Sequence, residues 1–261
     1  MCWSAQADAV AGGVVVGLGV VCLVRARRSG RPQRVPLAAL PLVLGAHQLI
    51  EALVWLGTDG GLPAAPAGWA RTAWAAIALP LLPVYVPAAV WCASTEPGHP
   101  VGAVRHRVQA AQVGLCLLGA AVAVPLAVAV AAHPVTATEH GRTLTYGIGV
   151  PHPAVLLAGY LLATIGSLLV SGDRDLRRLG LLTGLAAGLC AVLWRIAFLS
   201  TWCALAALVS VLLVHWAGRA PHSPTTTSPT TPGSTGRRSR TSCERATADG
   251  PPGRSTAPGT R

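Results

Sequence analysis

Lysine is absent from the chain. All twenty basic residues are arginine and only nine residues are acidic, so charged side chains make up 11% of 261 residues. A soluble domain carries about 25%, which excludes a water-soluble globular body for most of the length. We read the arginine-only usage as coding bias, since Arg and Lys differ physically mainly at bidentate or stacked sites. The net charge of +11 does not imply nucleic acid, because arginine-rich loops are the ordinary topology signal of membrane proteins and attract anionic headgroups. None of the seven cysteines is spaced C-x-x-C, so neither a zinc knuckle nor a disulfide framework follows. No basic residue precedes the first apolar run, whereas a cleaved signal peptide is positive at its start. No internal repeat is visible, and seven helices do not divide into equal inverted halves, which argues against a repeat-built secondary transporter.

What is present is apolar: 52% of the residues are hydrophobic. Crossing about 30 Å of hydrocarbon needs roughly 20 residues. Seven stretches qualify, at about 9–25, 36–57, 69–92, 109–132, 153–171, 178–198 and 200–218. The last two are separated at Arg195 to Thr201, the only polar break in a run too long for one crossing. Arginines mark alternate links: Arg25, Arg27, Arg28, Arg31 and Arg34; then Arg105 and Arg107; then Arg174, Arg177 and Arg178. The positive-inside rule places these links in the cytoplasm. Trp3, Trp55, Trp69, Trp74, Trp194 and Trp202 then fall at outer ends, and Trp91 and Trp216 at inner ends, as interfacial belts require.

The expected fold class is therefore an all-α membrane protein, a seven-helix bundle over 1–218 with its N-terminus outside and C-terminus cytoplasmic. From about Gly218 the composition turns to Ser, Thr, Pro and Arg, and 219–261 is expected to be a disordered cytoplasmic tail. Its partners are the bilayer and, at the arginine clusters, anionic headgroups. Gly13 and Gly17 in helix 1, and Gly180, Gly184 and Gly188 in helix 6, form small-residue stripes suited to close helix packing. Pro80, Pro83 and Pro87 in helix 3 and Pro125 in helix 4 predict kinks or local unwinding.

The chemistry concentrates in GAHQLIEALVW at 45–55. His47, Gln48 and Glu51 share one face of helix 2 with Trp55, at roughly 100° per residue. Ionisable groups at this depth face the bundle interior and pair. His47 and Glu51 are within reach at i,i+4, and Arg195 lies at a depth similar to Glu51, where a charge-assisted bond could form. Three readings stay open: an interhelical pair that fixes packing, a ligand or proton site, and an Arg195 that snorkels to headgroups. A metal site needs about three converging ligands. His215 lies near the inner end of helix 7, and His133, Glu139, His140 and His152 lie in a long outer link able to fold over the bundle mouth, without zinc spacing, so no metal and no cofactor are expected. Cys2 and Cys203 are candidate disulfide partners on an oxidising outer side. An N-terminal Cys2 exposed by loss of Met1 would be a nucleophile, but no further pattern supports that role.

The segments MCWSA, PLAALPLVLGAHQLIEALVWLG and TWCALAALVS resemble a family of uncharacterised bacterial multi-pass membrane proteins, a domain of unknown function. The resemblance covers most of the bundle and implies an integral membrane location without an assigned reaction. In helix number the chain is also similar to membrane hydrolases of the alkaline ceramidase type, whose last helix carries a His-x-x-x-His pair; here that helix has only His215. The leading expectation is a non-enzymatic binding, sensing or transport module with an outward-facing polar pocket of His47, Gln48, Glu51 and Arg195 for an unidentified small ligand or a proton. A metal-dependent membrane hydrolase and a purely structural assembly partner are the alternatives.

Overall fold

The computed structural model describes residues 4–96, 103–140, 143–192 and 198–219. Residues 1–220 form one compact unit; the tail, Cys2 and Arg195 lie outside the described residues, and with them the expectations placed on them. Helix α1 (Ala5–Arg28) opens with the Ser4 hydroxyl accepting the Ala7 N–H at 3.2 Å, has Asp8 in its first turn, and closes on Arg25, Arg27 and Arg28. That order of cap, acid and base complements the helix dipole. A 3-10 turn (Pro32–Arg34) and the short α2 (Val35–Ala38) lead into α3 (Leu40–Thr58), so the stretch read as one helix over 36–57 is interrupted at Ala39. Then come α4 (Ala64–Ala76), a π-helical segment (Ile77–Leu81), α5 (Leu82–Ser94) and α6 (Ala103–Ala132). The antiparallel strands β1 (Thr136–His140) and β2 (Thr143–Gly147) precede α7 (Pro153–Val170), α8 (Arg174–Val192) and α9 (Phe198–Ala217).

Among the described residues five helices are long and apolar enough to cross a membrane: Ala5–Arg28, Pro32–Thr58, Ala64–Ser94, Arg105–Ala132 and Pro153–Val170. The fold is mostly helical, but not all-α. The long link between α6 and α7 contains a β-hairpin, in which Thr136 to His140 pair with Gly147 to Thr143.

The buried positions of α1 are Asp8, Gly12, Val15, Gly19, Cys22 and Ala26. Steps of four and three are the repeat of helices packed at a shallow left-handed crossing. A Cβ on Gly12 would lie 2.9 Å from Leu49 and 3.0 Å from the Gly45 carbonyl, and one on Gly19 would lie 2.7 Å from the Leu42 nitrogen. Gly12 and Gly19 therefore seat α1 on α3, whereas Gly13 and Gly17, the expected stripe, have open space around them. In α8, Gly180 packs closely on Leu168 and Leu169, but Gly188 meets nothing.

The proline expectation is met at Pro80, inside the π segment. In this segment the Leu82 N–H reaches back five residues to the Ile77 carbonyl, so the next acceptor, the Ala78 carbonyl, falls to Pro83, which has no N–H to give. Tyr160 of α7 donates to the Ala78 carbonyl at 3.0 Å and so satisfies one acceptor there. The neighbouring contact is tighter still: a Cβ on Gly119 of α6 would sit 1.9 Å from the Pro83 carbonyl oxygen, so only glycine fits. Pro125, by contrast, lies within a continuous α6.

The two ends of the bundle differ. At one, Ala5, Val54, Trp55, Ala70 and the hairpin residues Leu144 and Tyr146 pack together. The other gathers the link after α1, the end of α5, the start of α8 and the end of α9 through arginine and carboxylate contacts.

Candidate functional site

The face of α3 read from the sequence is buried: His47 is 6% exposed, Gln48 3% and Glu51 4%. These groups do not line an open mouth. Trp74 of α4 lies against His47 with ring centroids 5.1 Å apart, and Tyr146 of β2 stacks on Trp74 at 3.6 Å with an 8° angle between planes. The link between α6 and α7 thus folds over this face of α3 by placing the Tyr146 ring on that of Trp74.

Asp8 is a fourth member. It is fully buried, and the contacts of Gly12 with Gly45 and Leu49 set α1 antiparallel to α3, so Asp8, one turn nearer the hairpin, falls level with Gln48 to Ala52. Two carboxyl-bearing residues on adjacent helices therefore share one depth with an imidazole and an amide.

The polar atoms here are incompletely bonded. Among the described residues, both side-chain atoms of Gln48 and Nδ1 of His47 have no hydrogen-bond partner, and neither do the indole N–H groups of Trp55 and Trp74. A buried donor or acceptor without a partner costs about 1–3 kcal/mol, and such groups usually contact water or a ligand. Gln112 of α6, also buried, is half satisfied by comparison, since its Nε2 donates to the Ser167 carbonyl at 2.7 Å while its Oε1 has no partner among the described residues.

The other titratable residues of the sequence reading lie elsewhere. His215 is at the arginine end, where its Nε2 is 3.4 Å from the Arg219 guanidinium. The Nδ1 of His133 is 3.3 Å from the Ala129 carbonyl. His152 precedes α7 in the left-handed region, and Glu139 pairs with Leu144 in the hairpin register. No group of three His, Cys, Asp or Glu residues suited to a metal forms among the described residues.

The arginine end holds a second polar cluster that the sequence reading did not identify. Arg34 and Glu96 are each 6% exposed. Arg34 Nε donates to Glu96 Oε2 at 2.9 Å, Arg31 also pairs with Glu96, and Arg34 Nη1 donates to the Trp216 carbonyl at 3.1 Å. The Arg34 guanidinium lies 4.9 Å from the Trp216 ring centroid, within cation–π range. Trp216 Nε1 donates to Asp173 at 2.8 Å, Asp173 accepts the Asp175 N–H at 2.8 Å near the start of α8, and Asp175 pairs with Arg219. Arg31 and Arg34 are thus engaged within the protein.

A cavity of about 90 Å³ lies among α3, α5, α7, α8 and α9, lined by Leu40, Leu82, Tyr160 and Thr183. Its lining is predominantly apolar, and it is separate from both polar clusters.

In comparison with known proteins, residues 1–228 fit the model of a Family of unknown function (DUF6629). No curated protein and no solved structure matches the chain.

Proposed function

We propose, for a chain that belongs to the family of unknown function DUF6629, a non-enzymatic membrane module that binds a small polar ligand or a proton in the cluster of His47, Gln48, Glu51 and Asp8. In this reading the chain crosses a cell membrane seven times, with its N-terminus outside and C-terminus cytoplasmic. Support comes from α8 and α9, with 19 and 20 residues beside the five long apolar helices, and from the collection of Arg25, Arg31, Arg34, Arg178 and Arg219 at one end. The hairpin end is then extracellular, and Trp74 with Tyr146 forms the cover of the site.

The observation that carries the proposal is the buried Gln48 amide, unbonded among the described residues and beside an unbonded His47 Nδ1. A group that only fixed packing would be expected to spend at least its donor on a neighbouring helix, as the Gln112 amide N–H does. The test is a thermal-stability screen of the full chain in detergent, wild type against Gln48→Leu, over amino acids, monosaccharides, alkali cations and a pH series. Ligand binding to the folded state raises stability by mass action. At least one class should stabilise the wild type and leave Gln48→Leu unmoved, and Glu51→Gln should alter that response while the protein still folds. Identical responses from all three proteins would leave the cluster a packing device.

A further inference from the structure

A separate cleft of about 540 Å³ opens at the hairpin end between α4 and the end of α6. Gly68, Trp69, Arg71 and Thr72 line one side, and Ala132 and His133 the other. Arg71 enters no ion pair among the described residues, and its Nε is buried without a partner. Among the described residues no acidic side chain lines the cleft. The Thr72 hydroxyl is already committed to the Gly68 carbonyl at 3.1 Å, and His133 caps the Ala129 carbonyl through both its backbone N–H, at 3.1 Å, and its ring. The first turn of α4, at Ala64 and Ala65, also borders the space, with helix-start N–H groups that lack intrahelical acceptors and carry a positive partial charge. The site therefore presents a planar, unneutralised guanidinium and a helix start to an opening without a counter-charge.

The geometry points to a phospholipid in this cleft, its headgroup phosphate bound by Arg71. Three features favour a lipid over a soluble anion. Trp69, at the rim, is exposed, as an indole at the headgroup boundary is. The cleft is formed by the ends of two helices long and apolar enough to cross a membrane, where headgroups supply phosphate at high local density. An arginine stem can lie along apolar helix surface while its fork meets phosphate oxygens in a bidentate arrangement. The binding does not depend on the His47 cluster, and the two readings can fail separately.

The test uses the full chain purified in detergent and native mass spectrometry of retained lipid, titrated with phosphatidylglycerol, with diacylglycerol and with inorganic phosphate. Loss of one charge-assisted contact should weaken phosphatidylglycerol binding about tenfold or more in Arg71→Gln, with Arg71→Lys between that variant and wild type. Gly68→Leu provides a second route, because a Cβ at Gly68 meets nothing within 4 Å, so its side chain would fill the cleft without disturbing the helix. It should lose binding to a similar extent. Diacylglycerol should not distinguish the proteins, and Arg27→Gln, at an exposed position of the opposite end, should bind as wild type. Equal phosphatidylglycerol binding by wild type, Arg71→Gln and Gly68→Leu would overturn the proposal. Arg71-dependent binding of inorganic phosphate as tight as that of phospholipid would overturn the lipid assignment in favour of a soluble anion.

Discussion

The two buried polar clusters of this bundle have opposite bonding. At the arginine end, Arg31 and Arg34 share Glu96, Trp216 lies between a guanidinium and Asp173, and Arg219 meets Asp175. At the hairpin end, His47 and Gln48 are equally buried, but His47 faces the Trp74 ring and both leave polar atoms unbonded among the described residues. Burial alone therefore does not separate structure from function. A network in which charges and donors are satisfied joins elements, here the link after α1 to the starts or ends of α5, α8 and α9. A cluster with unspent bonding capacity retains the means to take up something else.

That contrast predicts a graded series of stability effects. The largest belongs to Glu96→Gln, which leaves Arg34 buried without its carboxylate and should cost roughly 3–5 kcal/mol in unfolding of the full chain. The double variant Arg34→Met with Glu96→Leu should recover most of that loss; if it is as unstable as the single variant, the pair is not what joins these elements. Next is Trp216→Phe, which keeps a ring under Arg34 but removes the hydrogen bond to Asp173, worth about 2 kcal/mol for a bond to a charged group. A smaller effect follows at the other end. Tyr146→Ala removes a stacked pair worth about 1 kcal/mol, and it should speed thiol labelling of a His47→Cys background, because Trp74, on which Tyr146 stacks, lies against that position. Unchanged labelling would mean that the hairpin is no cover.

The smallest effect should have the opposite sign. Gln48→Leu replaces an amide that has no partner among the described residues, and without ligand it should leave stability unchanged or raise it by up to about 1 kcal/mol. A loss as large as that of Glu96→Gln would erase the distinction between the clusters.

Much of this architecture could be read from hydropathy and arginine spacing, because long apolar runs and interrupted charge are local properties of the chain. The π turn at Pro80 is a detail of the same kind, whereas the interruption at Ala39 falls inside a stretch read as one helix. What escaped were contacts between distant segments. The strands TATEH and TLTYG are short and polar, and what Leu144 and Tyr146 pack on comes from α3 and α4. Arg34 and Glu96 are 62 residues apart, and an arginine that sets topology cannot be told by composition from one that closes an ion pair. Asp8 did leave a signal. It begins the four-and-three series through Gly12, Val15, Gly19, Cys22 and Ala26, whereas the more conspicuous Gly13 and Gly17 lie off that seam. The His47, Gln48 and Glu51 face was identified from its period, and the link before α7 was expected to be able to fold over the bundle mouth, but the ring pair Trp74 and Tyr146 that covers His47 was not foreseen.

Helix length carries a further consequence. α7 has 18 residues and its packed neighbour α6 has 30, or about 27 Å against 45 Å at 1.5 Å per residue. A hydrocarbon layer is about 30 Å thick. In the bilayer proposed above, α6 must lean to keep its apolar length covered, while α7 draws the headgroups toward it. The lipid shell is then thinner on one flank than on the other, and a thinner membrane relieves more of that deformation on the α7 side than a thicker one.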